Sequence, residues 1–176
     1  MTKTIAYIAT SLDGYVAGVD DDLSWLDPYG DVEYGFDAFV ATLGVEIFGR
    51  RTYDILAERG WLNSHNLPTY VLSSSRPEAA PPLDMDVEFI KAPLEVVIEK
   101  ARQRTDKDIW VSGGGNVIQQ FLNAGLIDEL VLSIIPVTLG GGVRLFQEGQ
   151  PSHQLTLVKS ETFDRGLIQL TYSPVA

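Results

Sequence analysis

The sequence predicts an α/β domain built on a mostly parallel sheet, helices on both faces and an antiparallel hairpin at the C-terminal end. Three observations carry that prediction. Short apolar runs alternate with helical periodicities along the first 137 residues, which is the pattern of crossover units. Strand-like runs end repeatedly in glycine or small polar residues just before a helix. The last stretch, "LTLVKSETF", "DRG", "LIQLTYS" (155–173), reads as two strands around a tight turn.

Taken in order, "TIAYIA" (4–9) is a buried strand that runs into the turn "SLDG". Residues 17–31 are acidic and rich in Gly, Pro and Asp, and are expected to be loop. Phe36, Phe39, Val40 and Leu43 recur at spacings of three and four, which predicts a helix over 32–43. "VEIF" (45–48) is a strand that leads into the helix start "GRRTYDIL". "TYVLSSS" (69–75) is a strand closed by serines and Pro77, and "AAPPLD" (79–84) is a surface linker within the domain. "DVEFI" (86–90) is the next strand. A helix opens at Pro93, with Leu94, Val97, Ile98 and Ala101 on one face. "DIWVS" (108–112) is a strand, 115–124 a helix and "LVLSIIPV" (130–137) a strand. No break separates these elements, so one domain spans 1–176.

The composition excludes several chemistries. Thirteen Lys and Arg against 24 Asp and Glu leave a net charge of −11, which repels nucleic acid and anionic lipid. With no cysteine there is no disulfide, thiolate metal site or cysteine nucleophile. His65 and His153 stand far apart without metal-ligand spacing, so no metal is expected. No apolar run reaches the length of a membrane span, and the first residues lack a signal-peptide pattern. A soluble cytoplasmic protein without nucleic-acid or membrane partners is expected.

Candidate binding residues gather where strands stop. Gly49-Arg50-Arg51-Thr52 and Gly113-Gly114-Gly115-Asn116 each open a helix, and Ser73-Ser74-Ser75 ends a strand. Glycine permits close approach of a ligand or another backbone, and the first turn of a helix carries unpaired N–H groups with partial positive charge. Such a rim suits a pyrophosphate at the carboxyl ends of parallel strands. Arg50 and Arg51 fit an anion, a ribose 2′-phosphate in particular; the other reading is an ion pair with one of the many carboxylates, which suits Arg51 more than Arg50. "GGGNVI" is not the GxGxxG of a Rossmann domain, so a dinucleotide would be held by another α/β architecture.

In order, "SLDGYVAG", "GRRTYD", "YVLSSS", "WVSGGGNVIQQFL" and "IDELVLSIIPVTLGGGVRLF" resemble the motifs of the dihydrofolate-reductase-like superfamily. Within it they resemble most the C-terminal reductase domain of the riboflavin-biosynthesis deaminase-reductase. The resemblance implies a three-layer α/β fold that binds NADPH along the carboxyl edge of the sheet. It implies that Gly49, Arg50 and Thr52 hold phosphates and that Ser73 and Ser74 meet the adenosine ribose. Gly113, Gly114, Gly115, Asn116 and Val117 would pass the pyrophosphate and nicotinamide, with Ala9 and Val16 beside the nicotinamide ring. A homodimer is implied as well.

For the acid, counting back 16 positions from Gly49, as in bacterial dihydrofolate reductases, lands on Glu33, with Asp37 one turn further. A partly buried carboxyl at Glu33 would titrate high enough to deliver a proton, whereas a solvated helix-terminal Glu would not. Asp13 either forms the "SLDG" turn or positions substrate. Trp25, in "DLSWL", resembles a substrate-side motif and also suits a packing anchor. Ser112 stands where the riboflavin reductases usually carry Glu, and the arginine pair is closer to dihydrofolate reductases. The zinc deaminase motifs are absent, so the chain is at most the reductase module. The expected activity is an NADPH-dependent reductase of the 5-amino-6-(5-phosphoribosylamino)uracil reductase type. Its alternatives are dihydrofolate reduction or a non-catalytic nucleotide-binding protein of the same fold.

Overall fold

A computed structural model describes residues 2–75 and 85–175. The expected linker at 79–84 and the strand stop at Pro77 lie outside the described residues. One eight-stranded sheet runs in the order β5-β4-β3-β6-β1-β7-β10-β9. Its members are β1 (Thr4–Ser11), β3 (Leu43–Gly49), β4 (Thr69–Leu72), β5 (Val87–Ile90), β6 (Asp108–Gly113), β7 (Glu129–Ile135), β9 (Leu155–Thr162) and β10 (Ile168–Pro174). The first six in chain order are parallel, and β10 and β9 add antiparallel at one edge. A separate two-stranded ladder pairs β2 (Tyr15–Ala17) with β8 (Val143–Arg144).

The central strands are buried on both faces, and this explains their nearly unbroken apolar runs. On one face α3 (Leu94–Arg104) and α4 (Gly115–Asn123) press Val97, Ile98, Ala101, Ile118 and Phe121 against Val45, Ile47, Ile109, Val111 and Leu130. On the other face α1 (Phe36–Ala41) packs Phe36 and Phe39 around Tyr7 and Trp110. Beside it α2 (Arg50–Glu58) sets Tyr53 and Leu56 on Phe48 and Val71. Each fully buried aromatic or branched side chain contributes roughly 1.5–3 kcal/mol.

Two expectations need correction. The helix over 32–43 is only the six residues of α1, because Gly35 adopts a left-handed φ of 77° and interrupts the chain before Phe36. The stretch 17–31 is not simple loop: residues 15–17 form β2, and short 3-10 turns cover Val19–Asp21 and Ser24–Tyr29. Trp25 in the second of these is buried with Val32, Ile135 and Leu167, as a packing anchor is.

Candidate active site

The chain builds β3, β4 and β5 outward from β1, then crosses back to lay β6 between β3 and β1. That reversal opens a crevice at the carboxyl ends of these strands, where ligands of open parallel sheets sit. A cavity of about 640 Å³ occupies it. Ala9 lines it from β1 and Val16 from β2, Gly49, Arg50, Arg51 and Thr52 from the start of α2, and Ser73 and Ser74 from just after β4. Gly114, Gly115, Asn116 and Val117 line it from the start of α4. Thus four segments scattered over about 110 residues of chain meet in one wall. Lys91, just after β5, joins them as a cation that the motifs did not flag.

Neither helix facing the cavity has a side-chain cap at its N-terminus or an acidic residue in its first turn. Their leading N–H groups are left to the cavity, a polarity that suits an anion. The three glycines have separate reasons. Gly113 has φ +140°, a conformation that strains any side chain, and it is not part of the cavity wall as expected. A Cβ on Gly115 would come within 2.6 Å of Arg144 O, because the backbone of β8 crosses there. A Cβ on Gly114 would make only ordinary contact, 3.5 Å from Thr52 Oγ1, so its bareness serves the cavity.

Both arginines are engaged. Arg50 Nε donates to the Asp54 carboxylate at 2.8 and 3.0 Å, and its Nη1 reaches Ser75 O at 3.5 Å. Arg51 is exposed and pairs across the cavity mouth with Asp21 at 2.8 Å. Ser73 Oγ closes a local turn with Ser75.

A second cavity, about 270 Å³, adjoins the first and shares Ile8, Ala9, Leu26 and Ser112 with it. Its walls are aromatic: Tyr7, Tyr29, Tyr34, Phe36 and Trp110. Polar atoms come from Ser112 and Ser133. Gln169 Nε2 donates to Tyr7 Oη at 2.6 Å and to Ser133 Oγ at 3.3 Å. Burial pushes the Tyr7 phenol up to about 12, so it stays protonated. Among the described residues no lysine or arginine lines this cavity.

The three expected carboxylates lie elsewhere. Glu33 is exposed, stands before α1 rather than in its first turn, and accepts the Gly35 N–H at 2.8 Å. Of the two readings of Glu33, a partly buried acid and a solvated glutamate, its exposure fits the second. Asp37 is exposed in the first turn of α1, and neither residue lines either cavity. Asp13 accepts N–H donors from Leu139 at 3.1 Å and Gly140 at 2.8 Å and the Ser11 hydroxyl at 2.6 Å. Chiefly the Ser11 bond holds its carboxyl down at about 2, so Asp13 is a permanently charged clip rather than a proton donor.

The carboxylate that motif reading missed is Glu46. It sits in the middle of β3, 7% exposed, paired in register with Thr69 of β4 and Trp110 of β6. Burial pushes its carboxyl up to about 7, with the Ser112 hydroxyl pulling the other way. The approach of Ser112 is looser than a hydrogen bond, and its buried Oγ has no partner among the described residues. One sequence signal was available: a single acidic residue inside an apolar parallel strand that has neighbours on both sides.

A sheet with its crevice at the strand reversal, two bare helix starts and an adjoining aromatic chamber defines an α/β domain of the dihydrofolate-reductase-like class. The chain belongs to the RibD C-terminal domain family, which it matches over residues 2–169. The Bacillus subtilis protein YwjB is 31% identical over 171 residues, covering 97% of each chain. The structure of a Shewanella sp. PV-4 protein described as a riboflavin biosynthesis protein superposes with a TM-score of 0.88. It is 32% identical and covers 99% of this chain and 100% of its own. Dihydrofolate reductase from Enterococcus faecalis, in complex with NADP(H), shares the fold at a TM-score of 0.67 and 18% identity, covering 99% and 97%.

Proposed function

We propose that the chain is an NADPH-dependent reductase, one domain over 1–176, acting on a small flat heterocycle through its C=N or C=O bond. The observation that carries this reading is the meeting of two uncapped helix N-termini and Arg50 in one cleft that opens into an aromatic chamber. Gly49, Arg50, Thr52, Gly114, Gly115 and Asn116 hold the pyrophosphate with backbone N–H groups and charge. Arg50, with Ser73, Ser74 and Lys91, takes the adenosine end and its 2′-phosphate, and Arg51 closes over the entrance. Ala9, Val16 and Val117 bound the nicotinamide end. The bound NADPH supplies the hydride. The protein positions the two reactants and keeps water out, which is its share of catalysis in a cofactor enzyme.

The second cavity supports the choice of substrate. Flat aromatic walls with a few hydroxyl groups fit a ring with polar edges. A phosphoribosyl group would need a cation, and none of the described residues lining that cavity is one. We therefore favour an unphosphorylated pyrimidine- or pteridine-like ring over a phosphoribosylamino-uracil. The E. faecalis enzyme, which shares the fold, is a dihydrofolate reductase complexed with NADP(H), and this supports the cofactor. Among the described residues no helix is long and apolar enough to cross a membrane. The cytoplasm is proposed as the site of action.

Thermal-shift titration with NADPH and NADH tests the reading, since a ligand that binds the native state selectively must stabilise it. A rise in melting temperature with NADPH, smaller with NADH, is expected. No rise with either at millimolar concentration removes the proposal. NADPH oxidation assayed across dihydropterins, dihydrofolate and pyrimidine ribosylamines with and without phosphate then tests the substrate.

A further inference from the structure

Glu46 has no place in the cofactor reading, yet keeping a carboxyl in the middle of a buried strand is costly. Its register opposite Trp110 turns it to the face of the sheet that carries Trp110, Ser112 and Tyr7, away from the α3–α4 core that receives Val45 and Ile47. The other titratable side chains described on that face include Tyr7 on β1, Tyr34 before α1, Asp37 on α1, Tyr53 on α2 and His65, which packs on Trp110 after α2. Among the described residues none of these acts on the Glu46 carboxyl; Thr69 of β4 lies beside it in register, and the side chain that acts on it is the Ser112 hydroxyl. Ser112 in turn is one of four described residues common to both cavities, and its hydroxyl has no partner among the described residues. A buried acid thus stands beside a hydroxyl that lines the seam between two cavities.

We propose that Glu46 is the proton source for the reduction, acting through the Ser112 hydroxyl on a substrate in the aromatic chamber. The inference rests on the reductase reading above. As hydride adds to carbon of the C=N or C=O bond, the π pair moves to the heteroatom and takes the Ser112 hydroxyl proton. Ser112 Oγ recovers a proton from the Glu46 carboxyl, leaving a carboxylate that solvent reprotonates after product leaves. The reductant is the reduced nicotinamide dinucleotide. Glu46 is a positioning residue in this scheme, since only Ser112 touches the substrate.

The test follows the glutamate carboxyl carbons by NMR across pH in protein labelled at that carbon, free and with NADP⁺ or NADPH. The two cofactor forms carry the same phosphates and differ by one positive charge on the ring, so their difference reports on distance from the nicotinamide alone. Expected is one resonance with a midpoint near 7, assigned by its loss in Glu46→Gln. Ser112→Ala should move that midpoint up, by roughly half a pH unit or more, because the hydroxyl favours the charged form. NADP⁺ should lower it relative to NADPH by roughly one pH unit. If Glu46→Gln does not fold, sequential assignment of the wild-type resonance replaces it. A midpoint in the ordinary glutamate range, or one that ignores both Ser112→Ala and the ring charge while thermal shift proves that cofactor binds, overturns the proton role and leaves the cofactor site intact. Failure of both cofactor forms to bind overturns both.

Discussion

Arg50 and Asp54 form a two-pronged ion pair one turn apart on α2, and the same guanidinium extends toward Ser75 at the end of β4. The pair holds Arg50 along the cavity wall rather than out in solvent. Surface pairs at this spacing are worth only about 0.3–0.5 kcal/mol, so an incoming phosphate can take over the guanidinium at little cost. Arg50→Ala should therefore weaken NADPH about 10- to 100-fold more than NADH, the loss of charged hydrogen bonds to the 2′-phosphate. Asp54→Ala should tighten NADPH modestly. Fluorescence titration of both cofactors checks this, and equal losses in Arg50→Ala would remove the 2′-phosphate role.

The glycine run separates folding from binding. Gly114→Ala should fold with a melting temperature near that of the wild type, since the new methyl group makes only ordinary contact, yet lose cofactor affinity by crowding the cavity wall. Gly115→Ala should instead be destabilised by several kcal/mol, about 3 or more, because the methyl group meets backbone at 2.6 Å. Denaturant melts and calorimetric titration on the two variants distinguish these outcomes.

Glu46 makes stability depend on pH in a stated direction. Its folded carboxyl titrates near 7 against an ordinary 4.5, so the folded state holds more protons than the unfolded between those values. Stability should fall as pH rises from about 4.5 to 7 and level off above, a change on the order of 3 kcal/mol. In Glu46→Gln that slope should vanish. Urea melts at half-unit pH intervals measure it, and an unchanged slope in the variant would assign the dependence to another group.

Asp13 should matter for structure only. Asp13→Ala removes the acceptor of the Leu139 and Gly140 N–H groups and the partner of Ser11, so the melting temperature should drop while NADPH affinity holds. Asp13→Asn should recover little, because an amide offers one acceptor oxygen where the carboxylate uses two. A loss of cofactor affinity equal to that of Gly114→Ala would place Asp13 in the site instead.

β9 is an outer strand of the sheet, and it exposes Leu157 and Val158 at 51% and 59% where its register with β10 shifts. An uncovered edge of this kind invites pairing, and we propose that it contributes to a homodimer. Light scattering should give twice the chain mass for the wild type and a shift toward monomer for Leu157→Lys.

How much of this was legible in advance follows from the range of the interactions involved. Periodicity and punctuation located the strands and helices because hydrophobic faces and glycine conformations are set within a few residues, as at α3, α4 and the 155–173 hairpin. The same locality exposed the Gly49 and Gly114 helix starts and the serines after β4. α1 was overestimated because its apolar spacing continued through Gly35, whose left-handed backbone stops a helix that the pattern alone would extend.

The amino-acid sequence by itself determined the alternation of strand and helix, the excess of negative charge and the bare backbone at the cavity rim, all properties of short segments. Tertiary structure alone decided which carboxylate is buried and which segments meet. Glu46 looks like any strand glutamate until β4 and β6 flank it, and Asp13 looks like a turn former until Leu139 and Gly140 fold back 126 and 127 residues later. A carboxyl's proton affinity depends on the solvent removed and the donors brought near by distant parts of the chain, which no local pattern encodes.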